Sequence, residues 1–375
     1  MFSGSVCFVV GARPNFMKVA PVHRALGAIA PTLDIMLIHT GQHYDRRMSD
    51  VFLDELGMPA VDVFLGVGSG SHGEQTARAL AAIEVVLIEK HPALVVVAGD
   101  VNSTLAAAIA AVKLHIPVAH IESGLRSFDW AMPEEHNRRL TDHVSSVLLV
   151  HSPNAIANLT REGIDPARIH LVGNTMIDTM FSHLETARER KPWREFGVAR
   201  GKYGLVTLHR PSLVDDLDLL EEAVDSLVEL ASLYPLVFPL HPRTKAHLTD
   251  RGLDQRLTRE RVILTEPLAY LTFLGLEAEA AFVLTDSGGV QEETSALGIP
   301  CYTLRDSTER PITIEQGTNI LLGARPDRMR EIPELLARRP EFAPIPLWDG
   351  RAGERAAKTL ATFLEAPEAA SSLVA

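Results

Sequence analysis

Ala93–Glu122, ALVVVAGDVNSTLAAAIAAVKLHIPVAHIE, decides the fold. The aliphatic run that opens it has strand length, not helix length. It ends on the polar turn Gly99-Asp100-Val101-Asn102-Ser103-Thr104, and Thr104–His115 then carries helical apolar spacing. Pro117–Glu122 starts a second apolar strand. A strand, a helix and a strand in succession argue for parallel strands with helices covering the sheet. The same alternation extends to both sides. SVCFVVG, DIMLIHT and VLLVHS are strand-like, and KVAPVHRALGAI and EQTARALAAIEVVLIEK are helical. After RIHLVGNTMID it begins again, with GLVTLH, LVFPLH, VILTE, AFVLTDS and IPCYTL as strands and LLEEAVDSLVELASL and GVQEETSAL as helices.

A chain of 375 residues is long for one domain. The expected architecture is α/β, two doubly wound Rossmann-like domains facing a cleft. The first covers residues 1–173 and the second 174–351, with the helix 352–366 packing back on the first. Polar loops follow the strands with regularity: GARPNFMK, TGQHY, GDVNST, ESGLRS, TLHRPS, PLHPRT, TDSGGVQEE and LRDSTERP. Net charge is −12, which argues against nucleic acid or an anionic membrane as partner. Cys7 and Cys301 sit in apolar runs and read as buried thiols. The N-terminal apolar run is too short for a signal peptide or a membrane span, so a cytoplasmic location is expected. The small-residue tail Ala366–Ala375 is expected to fray.

Chemistry gathers at the loops. Pro117–His143 places Glu122, Glu134 and Glu135 among Arg126, Arg138 and Arg139, directly after a strand, and Asp100 ends the strand before it. Carboxylates at strand ends ringed by arginines are how an open parallel sheet builds a reaction site; a solvated salt-bridge cluster is the plainer reading. Ser287-Gly288-Gly289 exposes backbone N–H groups at a helix start, which suits phosphate. Glu293, one turn later, suits ribose hydroxyls. Arg13 and Lys18 follow the first strand and, with Arg305 and Arg310, offer cations to an anion. His209 and His241 each end a strand of the second domain. Gly68-Ser69-Gly70-Ser71-His72-Gly73 matches a dinucleotide fingerprint by spacing, but it does not follow the opening strand. No metal-ligand motif is present, so neither a metal nor NAD is expected, and the cofactor expectation is none.

GARPNFMKVAP, TGQHYD, GDVNSTLA, HIESGLRS, MPEEHNRRLTDH, VTLHRP, LTDSGGVQEE and RDSTERP, in order from Gly11 to Gly323, together resemble the non-hydrolysing UDP-N-acetylglucosamine 2-epimerases. The resemblance implies the GT-B glycosyltransferase-like fold, a cytoplasmic homodimer, and supply of UDP-N-acetylmannosamine for surface polysaccharides. It implies elimination of UDP across C1–C2 to a 2-acetamidoglucal, followed by re-addition. Asp100, Glu122 and Glu134 match the family's catalytic carboxylates and His209 its histidine. Arg13, Arg138, Ser287, Gly288, Gly289, Glu293 and Arg310 match substrate and UDP contacts, and Phe273 lies where an aromatic lines the uracil pocket.

Two departures stand out. Many members carry His-Arg-Arg-Glu-Asn where this chain has His209-Arg210-Pro211-Ser212-Leu213. Activated bacterial members carry Gln-His-x-Gln and an arginine before Gln-Thr, where this chain has Gln42-His43-Tyr44-Asp45 and Glu74-Gln75-Thr76. The GSGSHGEQT version also resembles relatives acting on UDP-2,3-diacetamido-2,3-dideoxyglucuronic acid. The other readings are a GT-B glycosyltransferase and a non-catalytic sugar-nucleotide sensor; the retained acids and His209 argue against both.

Overall fold

The computed structural model describes residues 4–41, 57, 59–338 and 342–366. Two all-parallel sheets organise it. The first has the order β3-β2-β1-β4-β5-β6-β7, from β1 (Ser5–Val10), β2 (Asp34–His39), β3 (Val63–Phe64), β4 (Leu94–Ala98), β5 (Val118–Ile121), β6 (Val147–Val150) and β7 (Ile169–Leu171). The second has the order β10-β9-β8-β11-β12-β13, from β8 (Gly204–Thr207), β9 (Leu236–Pro239), β10 (Val262–Thr265), β11 (Phe282–Thr285), β12 (Cys301–Thr303) and β13 (Asn319–Leu321). Each therefore begins in the middle, grows to one side, and returns to grow to the other, which is the doubly wound pattern.

Burial explains why the central strands read as unbroken aliphatic runs. Every residue of β4 is buried, because helices cover both faces. The helix Asn102–Lys113 buries Ala106, Ala107, Ala108, Ala110 and Ala111, small side chains that let it lie close to the sheet and to its neighbours His72–Lys90 and Pro133–Val144. In the second sheet Val206, Phe238, Phe282, Leu284 and Tyr302 form one core with Leu220, Leu227 and Leu230 of the helix Leu217–Leu233. Burying an aliphatic or aromatic side chain of this size contributes about 1.5–3 kcal/mol. Cys7 and Cys301 are both buried, and burial pushes each thiol up to about 12.

The chain divides into two compact units, residues up to 179 together with those from 346 onward, and residues 180–345. The last helix, Ala352–Glu365, lies against the first, Arg13–Ile29. Its start is fixed by a side chain from far away in sequence: Asp178 accepts the N–H groups of Ala352 at 3.0 Å and Gly353 at 2.6 Å. A Cβ on Gly353 would stand 2.7 Å from that of Pro21, so glycine permits the approach.

Candidate active site

In each sheet the order reverses between the first strand and the fourth, and the loops leaving those two strands part there. In the first unit these are the loops after β1 and β4. Asn15 ties them together: its Oδ1 accepts the N–H groups of Gly11 and Ala12, and its Nδ2 donates to the Ala98 carbonyl at 2.8 Å. Arg13 opens the helix that follows β1. Gly99 turns with φ +67 and presents Asp100. Arg138 holds the Asp100 carboxylate, and Asn137 donates to the Asp100 carbonyl at 2.9 Å. Glu122, just past β5, sits at φ +65, an uncommon conformation for a residue with a Cβ. Its carboxylate is ion-paired to Lys18, and both are buried. A Cβ on Gly99 would lie 3.1 Å from Lys18 Nζ and 3.4 Å from Glu122 Oε2. Lys18, Glu122, Asp100 and Arg138 therefore converge on one turn.

Glu134 and Glu135 stand elsewhere than expected. They do not close a strand; they occupy the first turn of the helix Pro133–Val144, where the dipole favours acids. The two differ in use. Glu135 is fully buried and accepts from Ser127 N at 2.8 Å and Arg139 Nε at 2.7 Å. Burial works to raise it, but those bonds and Arg138 hold its carboxyl below the usual range. Glu134 is half-buried and makes no ion pair among the described residues.

In the second unit the reversal falls between β8 and β11. Asp286, fully buried after β11, accepts the N–H groups of His209 and Arg210, each at 2.7 Å, and lies 3.0 Å from His209 Nδ1. Nδ1 is thus the ring nitrogen that faces the carboxylate. Burial, then Arg210 and His241, lower the His209 pKa against the pull of Asp286, which favours the neutral ring at neutral pH. His241 lies 5.8 Å from it, ring to ring, and also caps its own helix by accepting from Arg243 N at 3.2 Å.

Ser287 stands at the N-cap position of the helix Gly288–Leu297, with no side-chain bond to its first turn, and the helix opens with Gly288-Gly289. A Cβ on Gly288 would come within 2.6 Å of Arg310 NH1, so the glycine lets a guanidinium lie over the helix start. Arg310 is held by Glu292, at 3.0 Å, and by Glu309, at 3.4 Å. Burial works to raise Glu309, but Arg305 and Arg310 hold its carboxyl down at about 2. Glu293 is buried and accepts from the Tyr270 hydroxyl at 2.8 Å. Burial pushes its carboxyl up to about 7. Phe273 is half-buried in the helix Tyr270–Glu277, against a cluster that includes Tyr203 and Leu276.

The structure thus gathers Lys18, Asp100, Glu122 and Arg138 in one unit; in the other, His209, His241, Ser287, Gly288, Gly289 and Arg310 lie in segments that follow strands, and Glu293 lies inside the helix Gly288–Leu297. Asp286, Tyr270 and Glu277 were not singled out from the sequence; for Asp286 the signal was its place directly after an aliphatic strand. Gly68–Gly73 makes no dinucleotide turn. Ser71 caps the helix His72–Lys90, and Glu74 returns the bond to Ser71 N at 3.1 Å. Gln42–Asp45 lie outside the described residues. Among the described residues no three His, Cys, Asp or Glu side chains converge as a metal site requires.

Two doubly wound parallel sheets, with acids at the switch point of one and a glycine-opened helix with an arginine at that of the other, are the architecture of the GT-B class. The profile of the family described as UDP-N-acetylglucosamine 2-epimerase matches residues 28–361, and the chain belongs to that family of isomerases. The UDP-N-acetylglucosamine 2-epimerase of Methanocaldococcus jannaschii is 43% identical over 358 residues, 94% of this chain and 97% of that protein. Its crystal structure in complex with UDP-GlcNAc and UDP superposes with a TM-score of 0.86, covering 96% of this chain and 99% of that one. The UDP-2,3-diacetamido-2,3-dideoxy-D-glucuronate 2-epimerase of Pseudomonas aeruginosa is 42% identical over 327 residues, 86% of this chain and 89% of that protein.

Proposed function

We propose that this chain interconverts UDP-N-acetylglucosamine and UDP-N-acetylmannosamine by inverting C2. The observation that carries the reading is the convergence of Asp100 and Glu122, each with its own cation, on the Gly99 turn. No carbonyl acidifies the C2 proton of an N-acetylhexosamine, so direct removal is unfavourable. Elimination avoids the difficulty. One carboxylate takes the C2 proton as the C1–O bond to UDP breaks, giving a 2-acetamidoglucal and UDP. UDP then returns to C1 while an acid on the opposite face protonates C2. Inversion needs proton-transfer groups on two faces, which is the work for Asp100, Glu122 and Glu134. UDP needs donors and positive charge, supplied by the Ser287–Gly289 helix start and Arg310, with Arg13 and Lys18 as further cations. His209, its Nδ1 beside Asp286, takes up a proton as the negative diphosphate arrives and in that imidazolium form donates from Nε2 to the departing group, and His241 stands beside it. Glu293 takes the ribose hydroxyls, and Phe273 lines the uracil pocket.

The deciding experiment is proton NMR of UDP-GlcNAc with the protein in D₂O. The product should be UDP-ManNAc with deuterium at C2. Retention of the C2 proton would exclude elimination. A second reading, epimerisation of the diacetamido-glucuronate sugar, is favoured by the 42% identical Pseudomonas relative; turnover of that sugar alone in a parallel assay would select it. We further propose a cytoplasmic homodimer serving polysaccharide synthesis. Exposed Val85 and Ile88 on the helix His72–Lys90, and Leu140 on Pro133–Val144, offer apolar contacts for a second copy. Among the described residues no helix is long and apolar enough to cross a membrane.

A further inference from the structure

Behind the acids of the first unit lies a ring of alternating charge that enters the proposed reaction only at its last members, Arg138 and Asp100. It runs from His120 to Asp142 at 2.7 Å, to Arg126 at 2.7 Å, to Glu162 at 2.7 Å, and to Arg139 at 2.6 Å. From there it continues to Glu135 at 2.7 Å, to Arg138 at 3.4 Å, and ends on the Asp100 carboxylate. The other end returns to the same turn: His120 Nε2 lies 2.8 Å from the carbonyl of Gly99. Four cations therefore alternate with four anions if His120 carries a charge. The hydrogen bonds require two N–H groups on that ring, because both its partners, the Asp142 carboxylate and a backbone carbonyl, are acceptors. Asp142 is fully buried and is further committed as an acceptor, taking Gly124 N–H at 3.1 Å and Arg126 NH1 at 2.7 Å. Burial works to raise its carboxyl, but His120 and Arg126 hold it below the ordinary range.

The two ends of this arrangement matter for geometry. Gly99 precedes Asp100, and Gly124 closes the turn that begins at Glu122. Both turns need left-handed backbone, which Gly99 at φ +67 and Gly124 at φ +79 adopt freely and Glu122 at φ +65 does not. A Cβ at Gly124 would lie 2.7 Å from the carbonyl oxygen of Ala155, so that turn has no freedom to shift toward the neighbouring helix.

We propose that His120 is a positioning residue: as an imidazolium it ties the turn that presents Asp100 to Asp142, which in turn holds the turn that presents Glu122, and so sets the spacing of the two acids. The inference rests on the epimerase reading of the site. A hydrophobic residue in its place would fill the volume but leave the Gly99 carbonyl and the Asp142 carboxylate without their shared donor.

Two measurements test it. In ¹⁵N NMR of the unaltered protein, both ring nitrogens of His120 should carry protons; a single protonated nitrogen overturns the proposal. In His120→Gln and Asp142→Asn, kcat should fall about a hundredfold, the scale of a small misplacement of reacting groups. KM for UDP-GlcNAc and Kd for UDP should stay within about twofold of the unaltered values, since the acids and not the nucleotide contacts are displaced. If both variants lose thermal stability while kcat per folded molecule stays near normal, His120 is a packing residue and the proposal fails. Absence of turnover by the unaltered enzyme on either sugar would sink the epimerase reading, and this inference with it.

Discussion

Glu122 and Glu134 have opposite surroundings, one buried against Lys18 and the other half-buried with no ion pair among the described residues. That asymmetry suits two acids with two tasks. Glu122→Gln and Glu134→Gln should each lower kcat by about a hundredfold or more, as loss of a positioned acid or base does. Single-turnover reactions should show which variant releases UDP and the glycal; near-normal kcat in both would remove them from the reaction. Glu293 carries a pH signature. With its carboxyl near 7, a part of the protein is protonated there at neutral pH, and a ribose hydroxyl donates better to the ionised form. Burial also raises the carboxyl of the neighbouring Glu277, and the Tyr270 hydroxyl donates to Glu293. KM for UDP-GlcNAc should therefore fall from about pH 6 to about pH 8, and Glu293→Gln should flatten that slope. An unchanged slope in the variant would assign it to another group. Asp100 and Glu122 were legible in the sequence because an acid directly after an aliphatic strand is conspicuous. Asp286 carried the same signal and was passed over in favour of the Ser-Gly-Gly turn beside it; Asp142 and His120 were not legible, because one lies inside a helix and the other inside a strand, and their partners are 16 to 22 residues away.

Among the elements, the clasp between Asp178 and the helix Ala352–Glu365 is open to direct test. Asp178 takes the place of an N-cap, and Asp178→Ala should cost about 0.5–2 kcal/mol by chemical denaturation. Its pKa has a stability consequence with a definite sign. Burial pushes the carboxyl from 3.8 up to about 6, against the two N–H bonds that lower it. Between those values the folded state holds the proton and the unfolded state has lost it, so this group's contribution falls as pH rises through the window. Asp178→Asn should lose that decline, an effect on the order of 1–3 kcal/mol at most; identical pH profiles for the two proteins would refute it. The central strands could be read from sequence because all their residues face apolar neighbours. β3 has two residues and β7 and β13 three each, too few to display a period. The helix Pro133–Val144 was hidden by its composition, since its inward face is built from Glu135, Asn137, Arg138, Thr141 and Asp142 instead of apolar side chains.

For the molecule as a whole, regulation should be simpler than in its activated relatives. Glu74 stands where those relatives carry an arginine, and it is engaged in the capping pair with Ser71. Its charge would repel a second nucleotide diphosphate. Saturation by UDP-GlcNAc should therefore be hyperbolic, and pure UDP-ManNAc should react without a lag; a lag abolished by a trace of UDP-GlcNAc would show a working activator site. Turnover should survive exhaustive EDTA treatment, and restoration of lost activity by Mg²⁺ or NAD⁺ would overturn that. The division of the chain also sets an order of birth. The first unit begins at the N-terminus, yet the helix that covers Arg13–Ile29 is Ala352–Glu365, after the whole of the second unit. On the ribosome, residues 180–345 can therefore finish folding while the older half still waits with that face uncovered. Nascent chains arrested once residue 345 has emerged should resist protease in the second unit and yield in the first.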